Sequence, residues 1–444
     1  MSEPSRKILV LGASGLIGRY VTDDLRIRGF EIIGVARNFA ASQRLSALDL
    51  EMPVLSMASA GLVQLLRDRA IDVVVNCLGV LQDGRGSDGL GSDTRAVHRD
   101  FVERLLQAIR ESGRTIRLIH ISIPGVAEDD RTTFATTKRE AERLIAASGI
   151  AYAILRPGFV IAPAAYGGSA MVRALAALSL QLPAEVSGTP FRPVAVEDIA
   201  ATVAWLAMRE AGDVAAVSWD LMQPQQISLD GVIGQFRLAF GMAKWPRIAM
   251  PAFLLDLGGR CGDLANSLGW MPPMRSNAVA ELRRGVTGDP MPWMQATGII
   301  PKTIAQVTGQ RRATIQDKWF ARLFLIKALI IASLVLFWVA SGFIALLISF
   351  PATKAILASH GFPRAIVAPF AALTSMMDIG VGVLIAFRRT SALGLIAGIV
   401  LSLSYMVGTA ILTPDLWIEP LGALVKTGPA IVLMLVALLM LDNR

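Results

Sequence analysis

The stretch Ile8-Leu9-Val10-Leu11-Gly12-Ala13-Ser14-Gly15-Leu16-Ile17-Gly18 begins as an apolar run and then breaks into three glycines spaced by three residues. This pattern predicts a strand, a tight turn and a helix. Gly12 would supply the turn, Gly15 would let backbone amides approach a pyrophosphate, and Gly18 would let the helix pack on the strand. An ordinary glycine turn is the alternative, but the strand-helix units that follow favour dinucleotide binding. The predicted dinucleotide contacts here are Gly12, Ser14, Gly15, Leu16, Ile17 and Gly18.

The composition indicates that part of the chain lies in lipid. Of 444 residues, 53% are hydrophobic and 18% are charged, and the mean hydropathy is +0.53. These values are too apolar for an ordinary soluble protein. The formal net charge of +8 suits basic cytoplasmic loops of a membrane protein. No basic run with interleaved aromatic residues occurs, so the sequence predicts no nucleic-acid partner.

Cysteine and histidine usage predicts a reduced compartment and no metal. The two cysteines, Cys77 and Cys261, are too few for a disulfide framework. The three histidines, His98, His120 and His360, show no spacing typical of metal ligands. The first six residues lack the apolar segment of a signal peptide, so we expect the first domain to stay in the cytoplasm.

Arg37 indicates which dinucleotide is bound. The apolar run Glu31 to Val35 predicts a second strand, and an acidic residue at its end would hold the ribose 2′-hydroxyl of NAD. Here the strand is followed by Arg37, whose guanidinium suits a 2′-phosphate, and Arg19 is a possible helper. The alternative is a solvated surface arginine. The position at the strand end favours NADP(H) over NAD(H).

Further apolar runs predict strands that end in polar or small residues. Asn76 and Gly79 lie at and after the end of one strand, and Ser122 ends the next. Lys138 lies in a predicted helix, and Pro157 follows another strand. Because the carboxyl ends of parallel strands meet at one edge of a sheet, we expect these residues near the cofactor. His98, on a separate predicted helix, has no carboxylate partner at suitable spacing and is interpreted as a packed or surface histidine.

At this point the sequence resembles the extended and atypical branches of the short-chain dehydrogenase/reductase superfamily. The resemblance covers roughly the first half of the chain and implies a doubly wound parallel α/β sheet, an NAD(P)-binding Rossmann domain and a smaller substrate lobe. It rests on the glycine turn, Asn76 to Gly79, Ser122, Lys138, Leu155-Arg156-Pro157-Gly158, and Arg192-Pro193-Val194-Ala195-Val196-Glu197-Asp198-Ile199-Ala200.

The sequence departs from the superfamily pattern at the proton donor. In the superfamily a tyrosine four residues before the lysine supplies the proton and the serine orients the carbonyl, but this position is Phe134 here. Ser122 and Lys138 therefore remain as candidate catalytic residues without the phenol. Tyr166, on a predicted loop of the smaller lobe, is the leading replacement, although a loop tyrosine covering an apolar edge is an equal alternative. This half also resembles the accessory NADPH-binding subunit of respiratory complex I, which implies binding without standard catalysis.

The second half predicts an all-α bundle of four membrane spans. Residues 241–322 are rich in Pro, Gly, Trp and Met and are interpreted as a connector at the membrane surface, between a Rossmann domain at 1–240 and a membrane domain at 323–444. Each of four apolar segments is close to or above the roughly 20 residues that cross a bilayer. These segments are Leu323 to Ile348, Ala365 to Phe387, Ala392 to Leu412 and Gly422 to Leu441.

The basic residues predict the orientation of these spans. Arg311, Arg312, Lys318 and Arg322 precede the first span, Arg388 and Arg389 fill the second loop, and Arg444 ends the sequence. By the positive-inside rule both termini are cytoplasmic. The expected location is a bacterial inner membrane.

The membrane half resembles the DoxX-like family of four-helix proteins, which are associated with quinone or redox partners. The resemblance rests on Trp338 to Gly342, Asp378 to Gly380, and Pro414 to Gly422 leading to Lys426. Asp378 lies near the middle of the second span and is predicted to face the bundle interior, because a carboxylate facing lipid is costly. In depth it lies nearer to Lys327 than to Lys426. A hydrogen bond to Ser375 or to a neighbouring helix is the alternative to such an ion pair.

Two functions remain open from the sequence. As an enzyme, the protein would pass reducing equivalents from NADPH to a lipid-soluble acceptor such as a quinone. As a binding subunit, it would hold NADPH structurally or as a redox sensor in a membrane complex. The missing tyrosine favours the second function, whereas the superfamily and the fused membrane domain favour the first.

Overall fold

The apolar runs of the first half form a seven-stranded parallel sheet in the computed structural model, which describes residues 6–39, 46–81, 83–85, 91–310, 313–418 and 424–441. The described strands, including those of four two-stranded sheets outside this sheet, are β1 (Lys7–Leu11), β2 (Glu31–Ala36), β3 (Leu50–Glu51), β4 (Val73–Asn76), β5 (Gly84–Arg85), β6 (Gly91–Ser92), β7 (Arg117–Ile121), β8 (Tyr152–Pro157), β9 (Phe159–Ile161), β10 (Leu180–Gln181), β11 (Pro190–Phe191), β12 (Pro193–Ala195), β13 (Ala216–Leu221), β14 (Ile227–Ser228) and β15 (Ile248–Ala249).

Helices connect these strands and continue beyond them. They are α1 (Leu16–Ile27), α2 (Ser59–Asp68), α3 (Phe101–Glu111), α4 (Thr133–Ala146), α5 (Gly167–Ala177), α6 (Ala184–Ser187), α7 (Val196–Ala207), α8 (Leu229–Ala239), α9 (Ala252–Ser267), α10 (Ser276–Arg284), α11 (Met291–Thr297), α12 (Ile304–Gln310), α13 (Ile315–Phe343), α14 (Phe350–Ser359), α15 (Arg364–Ala386), α16 (Ser391–Leu412) and α17 (Thr427–Leu439).

The sheet has the strand order β13-β8-β7-β4-β1-β2-β3, and neighbouring strands are parallel. The chain runs outward from β1 through β2 and β3, and then returns to β4 on the other side of β1. The order therefore reverses between β1 and β4, and ligands of such sheets bind beyond the strand carboxyl ends at this reversal. The predicted doubly wound α/β fold is confirmed.

Both faces of the sheet are covered by helices. The pleat points successive side chains to opposite faces. Ile8 and Val10 join Val203 of α7 in one buried cluster. Leu9 joins Leu105 of α3 in the other. A sheet buried on both faces explains why its strands are continuous apolar runs and do not alternate with polar residues.

The prediction of a separate connector over residues 241–322 is wrong for most of its length. Contacts group the chain into an N-terminal unit (Met1–Gly84, Leu90–Asp263 and Pro273–Ala321) and a C-terminal unit (Arg85–Gly89, Leu264–Pro272 and Arg322–Arg444). Trp293 of α11 is fully buried in the cluster that also contains Val203, and its indole donates to Thr202 Oγ1 at 3.0 Å. The Pro- and Trp-rich composition indicated irregular chain, but it does not specify which surface that chain covers.

The C-terminal unit is helical. Three helices of the described residues are long and apolar enough to cross a membrane: α13 with its continuation to Ile348, α15, and α16. The fourth predicted span contains α17, an apolar helix of 13 residues that is about 20 Å long against a hydrocarbon thickness of about 30 Å. The described residues thus provide three helices of spanning length and one shorter apolar helix, and the count of four spans stays a prediction. Residues 1–5, Arg311, Arg312, residues 419–423 and Arg444, on which parts of the predicted orientation rest, lie outside the described residues.

Small residues let the long helices approach one another closely. A Cβ at Gly342 of α13 would lie 2.5 Å from the Ser375 carbonyl oxygen of α15. A Cβ at Gly382 would lie 2.6 Å from a methyl group of Val339. Close backbone approach of this kind is how apolar helices associate where the hydrophobic effect cannot drive them together.

We expect Trp293→Ala to destabilise the N-terminal unit by about 3 to 5 kcal/mol, because it empties a buried indole site. Trp293→Phe should cost less, because it keeps an aromatic ring and loses only the bond to Thr202. Thermal unfolding of the full chain in detergent measures both effects. Trp245→Ala is the matched control, since Trp245 is 59% exposed. Equal melting temperatures for Trp293→Ala and Trp245→Ala would show that α11 does not belong to this core.

Candidate functional site

The glycine turn between β1 and α1 has the geometry that its spacing predicts. Gly12 adopts a φ of +79°, and its N–H donates to the Val35 carbonyl at 2.9 Å. A Cβ at Gly18 would lie only 2.2 Å from the Gly12 carbonyl oxygen, and one at Gly15 would lie 3.1 Å from it. Any side chain at Gly18 would therefore push α1 away from β1. The turn and the close helix packing both require glycine.

The N-terminus of α1 fits a dinucleotide pyrophosphate. Gly15 precedes the helix in an extended conformation and offers no side chain to cap it. The first amide groups of a helix have no intrahelical partner, and they attract an anion together with the helix dipole. Ser14, Leu16 and Ile17 line the same turn. The uncapped N-terminus of α1 and the glycine turn before it therefore suit the phosphates of NAD(P).

Arg37 lies directly after β2, where its side chain is exposed. Glu51 of β3 is its neighbour across the sheet edge, because Ala36 pairs with Glu51 and the Phe39 N–H donates to Glu51 Oε1 at 3.0 Å. Arg19 is placed elsewhere: its guanidinium lies 4.9 Å from the Tyr20 ring centre. Arg37 therefore holds the position predicted to contact the adenosine ribose, and Arg19 is engaged with α1.

Asn76 ends β4 in a buried hydrogen-bond chain. Its side-chain oxygen accepts from the Leu78 N–H at 3.1 Å, and its amide nitrogen lies 3.1 Å from His120 Nδ1. Since the amide can only donate there, His120 Nδ1 is unprotonated. Burial, followed by the charge of Lys138, lowers the pKa of His120 well below its usual range. This histidine is neutral, and it fixes the end of β4.

His98 is a packed, neutral histidine, one of the two roles that the sequence left open. Its Nε2 accepts from the Val80 N–H at 3.1 Å, and Nδ1 lies 2.9 Å from Thr137 Oγ1, so the proton is on Nδ1. Burial, with a smaller effect from Lys138, lowers its pKa to about 2. The ring meets Phe134 edge to face, with centres 5.5 Å apart. His98 and Phe134 therefore form a wall of the site that carries no charge.

Lys138 is buried at the carboxyl ends of β4 and β7. Its ammonium donates to the carbonyls of Ile121 at 2.8 Å and Leu78 at 3.2 Å. A Cβ at Gly79 would lie 3.6 Å from Lys138 Nζ, so Gly79 lies directly beside the ammonium. Burial lowers the pKa of Lys138 to about 8, although its interactions with Cys77 and Glu142 oppose that shift. Its proton is therefore exchangeable near physiological pH.

Ser122 takes part in a different group of contacts. Its hydroxyl lies beside the Glu142 carboxylate, which also receives Arg156 at 2.9 and 2.7 Å. Burial raises the pKa of Glu142, but the hydrogen bonds and charge of Arg156, with the charge of Arg139, lower it overall. The Ser122 hydroxyl is buried and has no hydrogen-bond partner among the described residues. The predicted catalytic pairing of Ser122 with a phenol is not available, because Phe134 carries no hydroxyl.

Two arginines fix the loop after Ser122. Arg139 Nη2 donates to the Pro124 carbonyl at 3.0 Å, and Arg284 of α10 donates to the same carbonyl at 2.8 Å. Both arginines pair with Asp130, at 3.2 and 2.8 Å. This cluster could not be predicted from local patterns, because Arg284 comes from the segment predicted as a connector.

The smaller lobe places Pro157 and Tyr166 differently. Pro157 ends β8, and the next amide, Gly158 N–H, donates to the Leu221 carbonyl at 2.8 Å. Tyr166 precedes α5, and its backbone is held by Ser169, while the side chain is 45% exposed. Pro157 therefore lies at the carboxyl edge of the sheet. The role of Tyr166 as a replacement phenol stays a prediction.

The polar site in the C-terminal unit centres on Asp378. It lies on the same face of α15 as the buried Ser375, and it accepts from the Tyr405 hydroxyl of α16 at 2.9 Å. This is a hydrogen bond to a neighbouring helix, the alternative that the sequence left open, and Tyr405 is a partner that the sequence did not identify. The position of Asp378 in the bundle interior stays a prediction. Lys327 is half-buried on α13 and Lys426 is exposed before α17. An ion pair between Asp378 and Lys327 stays a prediction.

We expect the stability of the N-terminal unit to fall as the pH is lowered. His98 is neutral in the folded protein and binds a proton when it is exposed by unfolding, so acid favours the unfolded state. With a pKa of 6.5 unfolded and about 2 folded, its contribution is complete above pH 6.5 and is lost below it. At about pH 5 the loss is roughly 2 kcal/mol. His98→Gln, which keeps a donor and an acceptor, should reduce this loss in thermal unfolding at about pH 7.5 and about pH 5. An unchanged difference between the two pH values would contradict the neutral state of His98.

Comparisons with known proteins agree with this geometry. Residues 8–218 match the NAD dependent epimerase/dehydratase family, and residues 335–435 match the DoxX-like family. A dTDP-6-deoxy-L-talose 4-dehydrogenase (NAD(P)(+)) of Kitasatospora kifunensis is 31% identical over 141 residues, which are 31% of this chain and 40% of that protein. The chain thus spans about two fifths of that relative.

Solved structures show the same fold at low identity. The UDP-glucose 4-epimerase of Thermotoga maritima matches 73% of this chain and 99% of its own at 14% identity, with a TM-score of 0.51. The UDP-glucuronic acid 4-epimerase of Bacillus cereus, solved with NAD, matches 71% and 99% at 15% identity, also with a TM-score of 0.51. These matches cover more of the chain than residues 1–240, in agreement with the larger N-terminal unit. The chain therefore joins an N-terminal Rossmann-type domain, similar to the NAD dependent epimerase/dehydratase family, to a C-terminal region similar to the DoxX-like family.

Proposed function

We propose that the protein is a membrane-anchored, NADP(H)-dependent oxidoreductase that reduces a lipid-soluble acceptor such as a quinone. The observation that carries this proposal is Lys138, a buried ammonium at the carboxyl edge of the sheet with a pKa of about 8. Bound NADPH would supply a hydride. The proposed location is a bacterial inner membrane, with the Rossmann domain in the cytoplasm.

Lys138 is the proposed source of the proton. Phe134 cannot donate one, and both ring nitrogens of His98 are engaged, so its pKa of about 2 keeps it neutral. Burial raises the pKa of the Cys77 thiol to about 12. A general acid works best when its pKa lies near the operating pH, and Lys138 meets this condition. Lys138 would give this proton to the acceptor while bound NADPH would supply the hydride, so that a quinone would become a quinol, and a proton from solvent would restore the ammonium.

The acceptor is proposed to be lipid-soluble because the chain carries membrane-type helices. Three of the described helices have the length and composition of membrane spans. Asp378 and Tyr405 form a polar pair on two of them, and ionisable residues inside membrane segments often mark functional sites.

The alternative is a subunit that binds NADPH without catalysis. Phe134 favours it, because the phenol that completes the usual reaction is replaced by an apolar ring. The Lys138 ammonium also donates to two backbone carbonyls, so it can hold the strand ends in place without releasing a proton. In this function the protein would serve as a structural or redox-sensing component of a membrane complex.

The cofactor choice is tested at Arg37. We expect the protein to bind NADPH roughly tenfold or more tightly than NADH, because the guanidinium forms charge-assisted bonds to a 2′-phosphate. Arg37→Asp should remove that preference, whereas Arg69→Asp, on the exposed end of α2, should leave it unchanged. Calorimetry on the detergent-purified protein measures all the affinities. Equal affinity of the unmodified protein for both dinucleotides would rule out this role of Arg37.

Catalysis is tested at Lys138. NADPH oxidation with a soluble quinone analogue should fall at least about tenfold in Lys138→Met, because the group with the matched pKa is gone. Phe134→Tyr restores a phenol one helical turn from Lys138 and should add carbonyl reduction that the parent lacks. NADPH binding to each variant is measured in parallel. A parent that binds NADPH but oxidises it with no quinone analogue would favour the binding subunit.

A further inference from the structure

The outer face of α9 is an apolar surface that the protein leaves uncovered. Phe253 is 65% exposed, Leu257 is 49% exposed and Leu264 is 66% exposed. Their spacing of four and seven residues places them on one side of the helix. Cys261 lies in the same row and is also exposed. We call this row of Phe253, Leu257, Cys261 and Leu264 the α9 stripe.

The opposite face of α9 is fixed to the N-terminal unit, so the stripe has one orientation. A Cβ at Gly262 would lie 1.8 Å from the Met274 carbonyl oxygen, and one at Gly259 would lie 3.4 Å from the backbone of Ser276. Arg275 pairs with Asp263 at 3.0 Å. The glycines bring α9 against residues 274–276 without space for a side chain. The stripe therefore cannot turn inward to bury itself.

The chain that follows α9 ends at the boundary of the membrane helices. The Trp270 indole donates to the Ala386 carbonyl at 2.7 Å, and the Arg388 N–H donates to the Leu268 carbonyl at 3.0 Å. The Arg388 guanidinium lies 5.5 Å from the Trp270 ring centre. Ala386 is the last residue of α15, and α16 begins at Ser391. A tryptophan and an arginine at the ends of two spans are typical of the headgroup level.

Leu264, the last residue of the stripe, lies in the same unit as this attachment. It precedes Leu268 by four residues, so the two are at most about 14 Å apart. Arg260 is exposed on α9, and Lys244 is exposed before it. Trp245 and Ile248, also before α9, add exposed apolar surface. An apolar row with nearby cations and aromatic residues is the composition of a helix that lies in a bilayer interface.

We propose that the α9 stripe binds the surface of the bilayer that holds the membrane helices, with its apolar side chains among the lipid headgroups and upper acyl chains. The lipid partner is an anionic phospholipid surface, which Lys244 and Arg260 attract. This contact holds the N-terminal unit at the membrane independently of catalysis. It adds an interfacial anchor to the spans and does not rest on the proposed oxidoreductase activity.

The native Cys261 provides the test. The full chain is labelled on Cys261 with an environment-sensitive fluorophore and reconstituted in vesicles of phosphatidylcholine and phosphatidylglycerol, with or without brominated lipids. The control is a label on Glu111→Cys in a Cys261→Ser background. We expect bromine near the headgroup end of the acyl chain to quench the label on Cys261 at least about twofold more than it quenches this control label. Glu111 is exposed at the end of α3. Cys261→Ser alone controls for reaction at Cys77.

A paired variant separates lipid contact from other causes. Leu257→Glu should reduce the quenching to the level of the Glu111→Cys control, whereas Leu238→Glu, at an exposed apolar position of α8, should leave it unchanged. Both variants must keep the melting temperature of the parent. Equal quenching at Cys261 and Glu111→Cys would overturn the proposal. Disulfide cross-linking of Cys261 between chains, with no quenching by lipid, would also overturn it and would assign the stripe to a second copy.

Discussion

The contact between α1 and the turn before it determines the arrangement of the N-terminal unit. A single carbon added at Gly18 would meet the Gly12 carbonyl at 2.2 Å, so the helix starts in direct contact with the strand end. α1 then packs against α7 on one face of the sheet, and β1 stays at the point where the strand order reverses. The same contact leaves the first amides of α1 without a side-chain cap. One backbone constraint therefore fixes both the sheet core and the place where a phosphate can bind.

The site around Lys138 places one cation beside two neutral histidines and a thiol, while the Glu142 charge acts on it in the opposite sense. His98 and His120 are both neutral because burial disfavours their protonated forms and each has a nitrogen that accepts a hydrogen bond. The nearby Cys77 is protonated for the same reason. Such surroundings disfavour an ammonium and lower its pKa. The ionised groups Glu142, Arg139, Arg156, Asp130 and Arg284 are gathered in a separate cluster beside Ser122.

Local sequence patterns predicted the strands and the glycine turn, because each depends on residues close together in the chain. The sequence left open whether His98 is packed or on the surface, and the structure buries it. The position of Trp293 in the first core could not be predicted, since a composition rich in proline and tryptophan does not identify the surface that a segment covers. The partner of Asp378 was missed for the same reason. Tyr405 is brought to it by the packing of separate helices, and the pairing has no spacing that a single sequence shows.

The burial of Trp293 also bears on how the protein is made. The sheet and its helices are translated first, but the core that contains Val203 is incomplete until the ribosome has released Trp293. α13, the first apolar helix of spanning length, begins at Ile315, only about 20 residues later. N-terminal domains generally fold during synthesis, before later segments emerge. In this chain the completion of the first domain and the arrival of the first membrane segment nearly coincide, so folding and membrane insertion compete for the same interval of translation.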